Sequence, residues 1–121
     1  MKYFGIIFLM LLASSSQALE EPKAILVAQE AQSVRTLSAE RWARPRSGES
    51  VAAMPAVRES VQALLSAPET STLVIRYPGG EEGSLWAEEL HVWLISLGID
   101  AALMDLRPGS SRSDQIELFI E

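Results

Sequence analysis

The chain has 121 residues, 48% of them hydrophobic, a net charge of −6 and no cysteine. The lack of cysteine excludes a disulfide scaffold, a thiol nucleophile, cysteine-bound metal and a lipid-modified N-terminal cysteine. The acidic balance argues against nucleic acid and anionic membrane surfaces as partners, because both need a concentrated basic face.

In chain order, Met1-Lys2-Tyr3 supplies a positive start and Phe4 to Leu12 an apolar run. Ser14 to Ala18 then closes on Ser-Gln-Ala, a small-x-small cleavage pattern. Residues 1–18 therefore read as an export signal. The apolar run is too short to cross a bilayer, which takes about 20 residues. No second long apolar stretch follows, so no membrane span is expected after cleavage. A cysteine-free exported domain reads as bacterial and periplasmic. Residues 19–32 read as a leader, partly mobile as chain ends usually are, with Ala24–Ala28 as an apolar run between acidic flanks.

Residues 33–121 are the expected folded domain. Ser33 to Trp42 reads as a first strand, with Val34, Leu37 and Trp42 apolar. Arg41, Arg44 and Arg46 around Pro45 form the chain's basic patch, whose ordinary role is solvation and pairing with glutamates. Ser47-Gly48-Glu49-Ser50 reads as a turn. Pro55 opens a helix in which Val57, Val61, Leu64 and Leu65 share one face and which ends before Pro68. Thr72 to Tyr77 reads as a strand, apolar on both sides apart from Arg76 and hence central in its sheet.

Pro78 to Gly83 reads as a flexible acidic loop. Its three glycines precede a helix, but no Lys-Ser/Thr and no GxGxxG spacing follow, and two glutamates would repel a phosphate. The main helix then spans Ser84 to Leu97, with Ser84 as N-cap and Trp86, Leu90, Trp93, Leu94 and Leu97 as its buried stripe. Gly98 is placed to adopt the left-handed C′ conformation, with Ile99 as the hydrophobic contact of a Schellman stop. Ala101 to Arg107 and Gln115 to Glu121 read as two strands joined as a hairpin through Pro108–Ser111. Phe119 breaks the alternation of the last strand as an aromatic on its polar side. The order strand, helix, strand, helix, strand, strand predicts an α/β (α+β) two-layer sandwich, with two helices on one face of a mixed four-stranded sheet.

Element order and the segment Ala87-Glu88-Glu89-Leu90-His91-Val92-Trp93-Leu94-Ile95-Ser96-Leu97-Gly98-Ile99 resemble the OmpA C-terminal-like, peptidoglycan-associated βαβαββ domain. The family's second helix runs Arg-Ala-x-x-Val-x-x-Tyr-Leu-x-x-x-Gly-Ile, and Ile116-Glu117-Leu118 is similar to its last strand. The resemblance implies a non-enzymatic envelope module that binds cell-wall peptidoglycan or an envelope protein. The family clamps diaminopimelate with an Asp after the second strand and an Arg opening the second helix, opposite charges for an amine and carboxylates. Here those places fall on Gly80, beside Glu81 and Glu82, and on Trp86, while Asp114-Gln115 replaces the basic pair of the last strand. The substitute clamp these residues offer is Glu81 or Glu82 with Arg44 or Arg46. The standard wall contact is therefore expected to give way to an atypical one or to a protein partner.

Other chemistry is thinly represented. His91, the only histidine, stands three residues after Glu88. A small enzyme using Glu81, Glu82 and His91 is the alternative reading. No H-x-x-x-H, Asp-rich calcium loop or G-x-S-x-G setting is present, so no metal or cofactor is expected. Val92 and Ile95 lie off the predicted stripe, on the side of Glu88. They are expected either to pack beneath residues 19–32 or the first helix, or to form a partner surface.

Overall fold

The computed structural model describes residues 33–121. Residues 1–18, expected to be an export signal, and residues 19–32, expected to be a leader, lie outside the described residues. The fold is α+β, with four α-helices and an open, mixed four-stranded sheet among the described residues. Its elements are β1 (Arg35–Ser38), α1 (Ala39–Trp42), α2 (Gly48–Ala53), α3 (Pro55–Ser66), β2 (Leu73–Tyr77), α4 (Glu81–Ser96), β3 (Met104–Pro108) and β4 (Gln115–Ile120). The strand order is β1-β4-β2-β3, with β2 parallel to β3 and β4 antiparallel to both β1 and β2.

The predicted hairpin does not form. β4 sits between β1 and β2, and β3 pairs only with β2. The physical reason lies in both strands. A parallel pair needs a long crossover, which α4 supplies between β2 and β3. β4 buries Ile116, Leu118 and Ile120 on one face and Glu117 on the other, and so belongs in the interior of the sheet.

The first predicted strand is also shorter than its sequence suggested. β1 stops at Ser38, whose hydroxyl accepts the Arg41 backbone N–H at 3.1 Å and starts α1, the turn that buries Trp42. The expected turn at Ser47–Ser50 is the start of α2: the Ser47 and Ser50 hydroxyls each accept the other's backbone N–H. Met54 is extended because the following Pro55 disfavours helical geometry there, which separates α2 from α3. Ala101–Leu103 is a 3₁₀ turn capped by Asp100, so β3 begins only at Met104.

The helices cover one face of the sheet. Leu37, Leu73, Ile75, Ile116 and Leu118 point up into Val51, Val57, Leu64, Ala87, Leu90 and Leu94. Leu65, assigned by periodicity to the buried side of α3, is 73% exposed. The opposite face carries a layer of paired charges. Arg76 of β2 lies directly across from Glu117 of β4, with Nε 2.7 Å from Oε1, and its guanidinium is 4.7 Å from the Phe119 ring centroid. Phe119 therefore belongs on this face as a platform for the cation. Arg107 pairs with Asp105 at 2.8 Å and with Glu121.

Candidate functional site

α4 is the element on which most candidate residues stand, and it starts earlier than Ser84. Gly80, with φ +94°, is the residue before the helix, and Glu81 and Glu82 form its first turn. Ser84 lies inside the helix and accepts no capping bond. The loop is thus reduced to Pro78–Gly80. Gly83, in the first turn of the helix, lies so close to the preceding loop that a Cβ there would stand 1.7 Å from the carbonyl oxygen of Pro78. The predicted stop is present: Ile99 N–H donates to Leu94 O at 3.0 Å and Gly98 N–H to Ile95 O at 3.0 Å, with Gly98 at φ +106°.

The buried stripe of α4 is Gly83, Ala87, Leu90 and Leu94, about one position round from the predicted one. Trp86 and Trp93 are half-buried on its flank and pack against the core, and Leu97 is exposed. The stripe is centred on Gly83, Ala87, Leu90 and Leu94, which leaves both indoles to one side of it. Diametrically opposite the stripe stand Leu85, 58% exposed, and Val92, 63% exposed, with Ile95, 43% exposed, beside them. Sequence reasoning identified Val92 and Ile95 but missed Leu85; the glycine and alanine at positions 83 and 87 were the signal that would have centred the helix.

The substitute clamp is not assembled. Arg46 turns to Glu89, with Nε and Nη2 each 2.8 Å from Oε2, while Nη1 donates to the Trp42 carbonyl. Its guanidinium also stacks 4.7 Å from the Trp42 ring centroid. This latch fastens the 43–47 segment to the middle of α4. Glu89 lies seven and eight residues beyond Glu82 and Glu81, about 11 Å along the helix axis. Arg44, Glu81 and Glu82 are exposed and make no ion pair with a described residue. The indole Nε1 of Trp86 is buried without a hydrogen-bond partner among the described residues.

The enzymatic constellation is likewise spread out. His91 stands nine residues past Glu82, about 14 Å along the same helix, and neither it nor Glu88 makes a hydrogen bond to the other. Among the described residues no three His, Cys, Asp or Glu side chains are grouped to hold a metal ion. A groove of about 230 Å³ runs between α2, α3 and the end of α4, lined by Ala52, Val57, Val61, Leu97 and Ile99 with Arg58. It is smaller than ordinary small-molecule sites of roughly 300–1,000 Å³ and has no convergent set of polar groups.

Glu117 is a buried carboxylate on the charged face of the sheet. Hydrogen bonds from Ser111 Oγ, at 2.6 Å, and from Arg76 hold its pKa below the ordinary glutamate value against the opposing effect of burial. Among the described residues no helix packs over this face. All its neighbours stabilise the charged form, which makes it a structural anion.

What the fold and the site define is a two-layer α+β domain whose largest unexplained feature is an apolar stripe on the outer side of its longest helix. No protein-family model, curated protein or solved structure gives a significant match to the chain. No helix among the described residues is long and apolar enough to cross a membrane.

Proposed function

We propose that the chain is a non-enzymatic module of the periplasmic cell envelope that holds a protein partner, with any peptidoglycan contact made in an atypical way. The observation that carries this reading is the exposure of Leu85, Val92 and Ile95 on the face of α4 turned away from the sheet. Three large apolar residues on one helix face contribute nothing to the core and form a ready contact surface. Support for the OmpA C-terminal-like reading comes from the order of the main elements, β1, α3, β2, α4, β3 and β4, which is the βαβαββ order. Support for a protein partner over the standard wall contact comes from the missing clamp: Gly80 and Trp86 stand at its two places, and Arg46 is engaged by Glu89.

The double substitution Val92→Ser/Ile95→Ser tests this function. It should leave unfolding free energy within about 0.5 kcal/mol of the parent, as exposed sites do, and abolish cross-linking of α4 to an envelope protein in the exporting cell. A marked loss of stability, or unchanged cross-linking, contradicts the proposal. Sedimentation with purified sacculi gives the second readout. Retention that free diaminopimelate abolishes would restore the wall as the principal ligand.

A further inference from the structure

α4 contains four glutamates and no lysine or arginine. Glu89 is neutralised by Arg46. Glu81, Glu82 and Glu88 are exposed and make no ion pair with a described residue. Glu81, Leu85, Glu88, Val92 and Ile95 follow one another at i, i+4, i+7, i+11 and i+14, so two carboxylates are interleaved with three apolar side chains along a single outward stripe. Glu82 flanks its N-terminal end. The complement of such a stripe is an apolar ridge of the same spacing with cations set beside it.

The alternatives fit this pattern less well. A symmetric antiparallel pairing of two α4 helices centred on the stripe would set Glu88 against its own mate, and like charges facing each other across an interface cost affinity. The leader of this chain carries Glu20, Glu21 and Glu30 against Lys23 alone and has the same sign as the surface. A basic amphipathic helix matches both the apolar spacing and the charge.

We infer that the outer face of α4 docks a basic amphipathic helix of a partner protein, seated on Leu85, Val92 and Ile95 and oriented by Glu81, Glu82 and Glu88. This rests on the reading of the chain as an interaction module and names the kind of partner it takes. The charges set orientation and encounter rate, so binding weakens as added salt shortens the Debye length below its physiological value of about 8 Å.

The test is titration of a synthetic Leu/Lys amphipathic helix into the isotope-labelled chain as processed by the exporting cell, followed by amide chemical shifts. Leu/Gln and Leu/Glu helices of the same apolar spacing serve as comparisons. The expected result is a set of shifts confined to the outward positions of α4, with the Leu/Glu helix inert. The dissociation constant should rise at least tenfold in Glu81→Gln/Glu82→Gln/Glu88→Gln and also in Leu85→Ser/Val92→Ser/Ile95→Ser, both with unchanged amide spectra elsewhere. Equal binding of the Leu/Lys and Leu/Gln helices overturns the charge preference while leaving the docking face of the proposed function intact. Shifts centred on the charged face of the sheet, or no binding by any helix, overturn the inference outright. Concentration-dependent broadening of α4 without peptide would put a second copy there instead, and peptide-induced shifts in residues 19–32 would put the leader there.

Discussion

The two long faces of α4 are built from similar residue types and do different work. On the inner face Ala87, Leu90 and Leu94 are sealed against β2 and its neighbours, with Gly83 in contact with the backbone of Pro78. On the outer face Leu85, Val92 and Ile95 are equally apolar and stand in solvent among glutamates. Apolar character alone therefore does not say which residues hold this fold. What separates the faces is position around the helix: the inner one is centred on Gly83, Ala87, Leu90 and Leu94, and at Gly83 it lies against the backbone too closely for any side chain.

If the inner face is set by close approach, the largest effect should come from adding the least volume. Gly83→Ala inserts one methyl group against a backbone carbonyl that no rotamer change can move. Alanine ordinarily favours a helix over glycine by about 1 kcal/mol. Here the substitution should instead destabilise by about 3 kcal/mol or more, the upper end of overpacking, as measured by chemical denaturation. A stabilised Gly83→Ala protein would mean that the first turn of α4 does not lie against the Pro78 carbonyl as described.

The charged face of the sheet should give a smaller, pH-dependent effect. Because the folded state lowers the pKa of Glu117, its contribution is fully present above the ordinary glutamate pKa of about 4.3. That contribution is lost as pH falls through the folded value. Glu117→Gln should cost about 1–2 kcal/mol at neutral pH, the scale of a charge-assisted hydrogen bond. The gap from the parent should narrow as the solution is acidified, which stability curves at several pH values would reveal. A gap that is constant with pH would assign the loss to packing.

Ser60 sharpens the comparison from the side of α3. Its hydroxyl is buried, with no hydrogen-bond partner among the described residues. Ser60→Ala removes an unsatisfied group and raises helix propensity, so a gain of about 1 kcal/mol in unfolding free energy is expected. A loss would show that the hydroxyl has a partner, such as an ordered water.

Much of this was legible in the sequence where the determinant is local. Pro55 fixes the start of α3, Gly98 with Ile99 fixes the end of α4, and the apolar character of both faces between Thr72 and Tyr77 marks β2 as central. The misreadings share one cause, which is that their determinants are tertiary. Ser84 is a better side-chain cap than Gly80, but a backbone that must turn sharply out of β2 selects the positive φ of Gly80. Proximity along the chain suggested that β3 and β4 pair, whereas burial of both faces of β4 places it between β1 and β2. The candidate site followed the same pattern. Val92 and Ile95 were legible from periodicity, while the partner of Arg46 depended on where α1 delivers Trp42, which no local signal encodes.

The account turns on which side of α4 faces the sheet, and paired truncations test this most directly. Urea unfolding of Leu90→Ala and Val92→Ala should give very different results. Loss of the fully buried Leu90 side chain should cost about 2–5 kcal/mol, and loss of the exposed Val92 side chain no more than about 0.5 kcal/mol. Comparable losses at the two positions, or a larger loss at Val92, would mean that the helix is rotated from this arrangement and that its outer stripe is core.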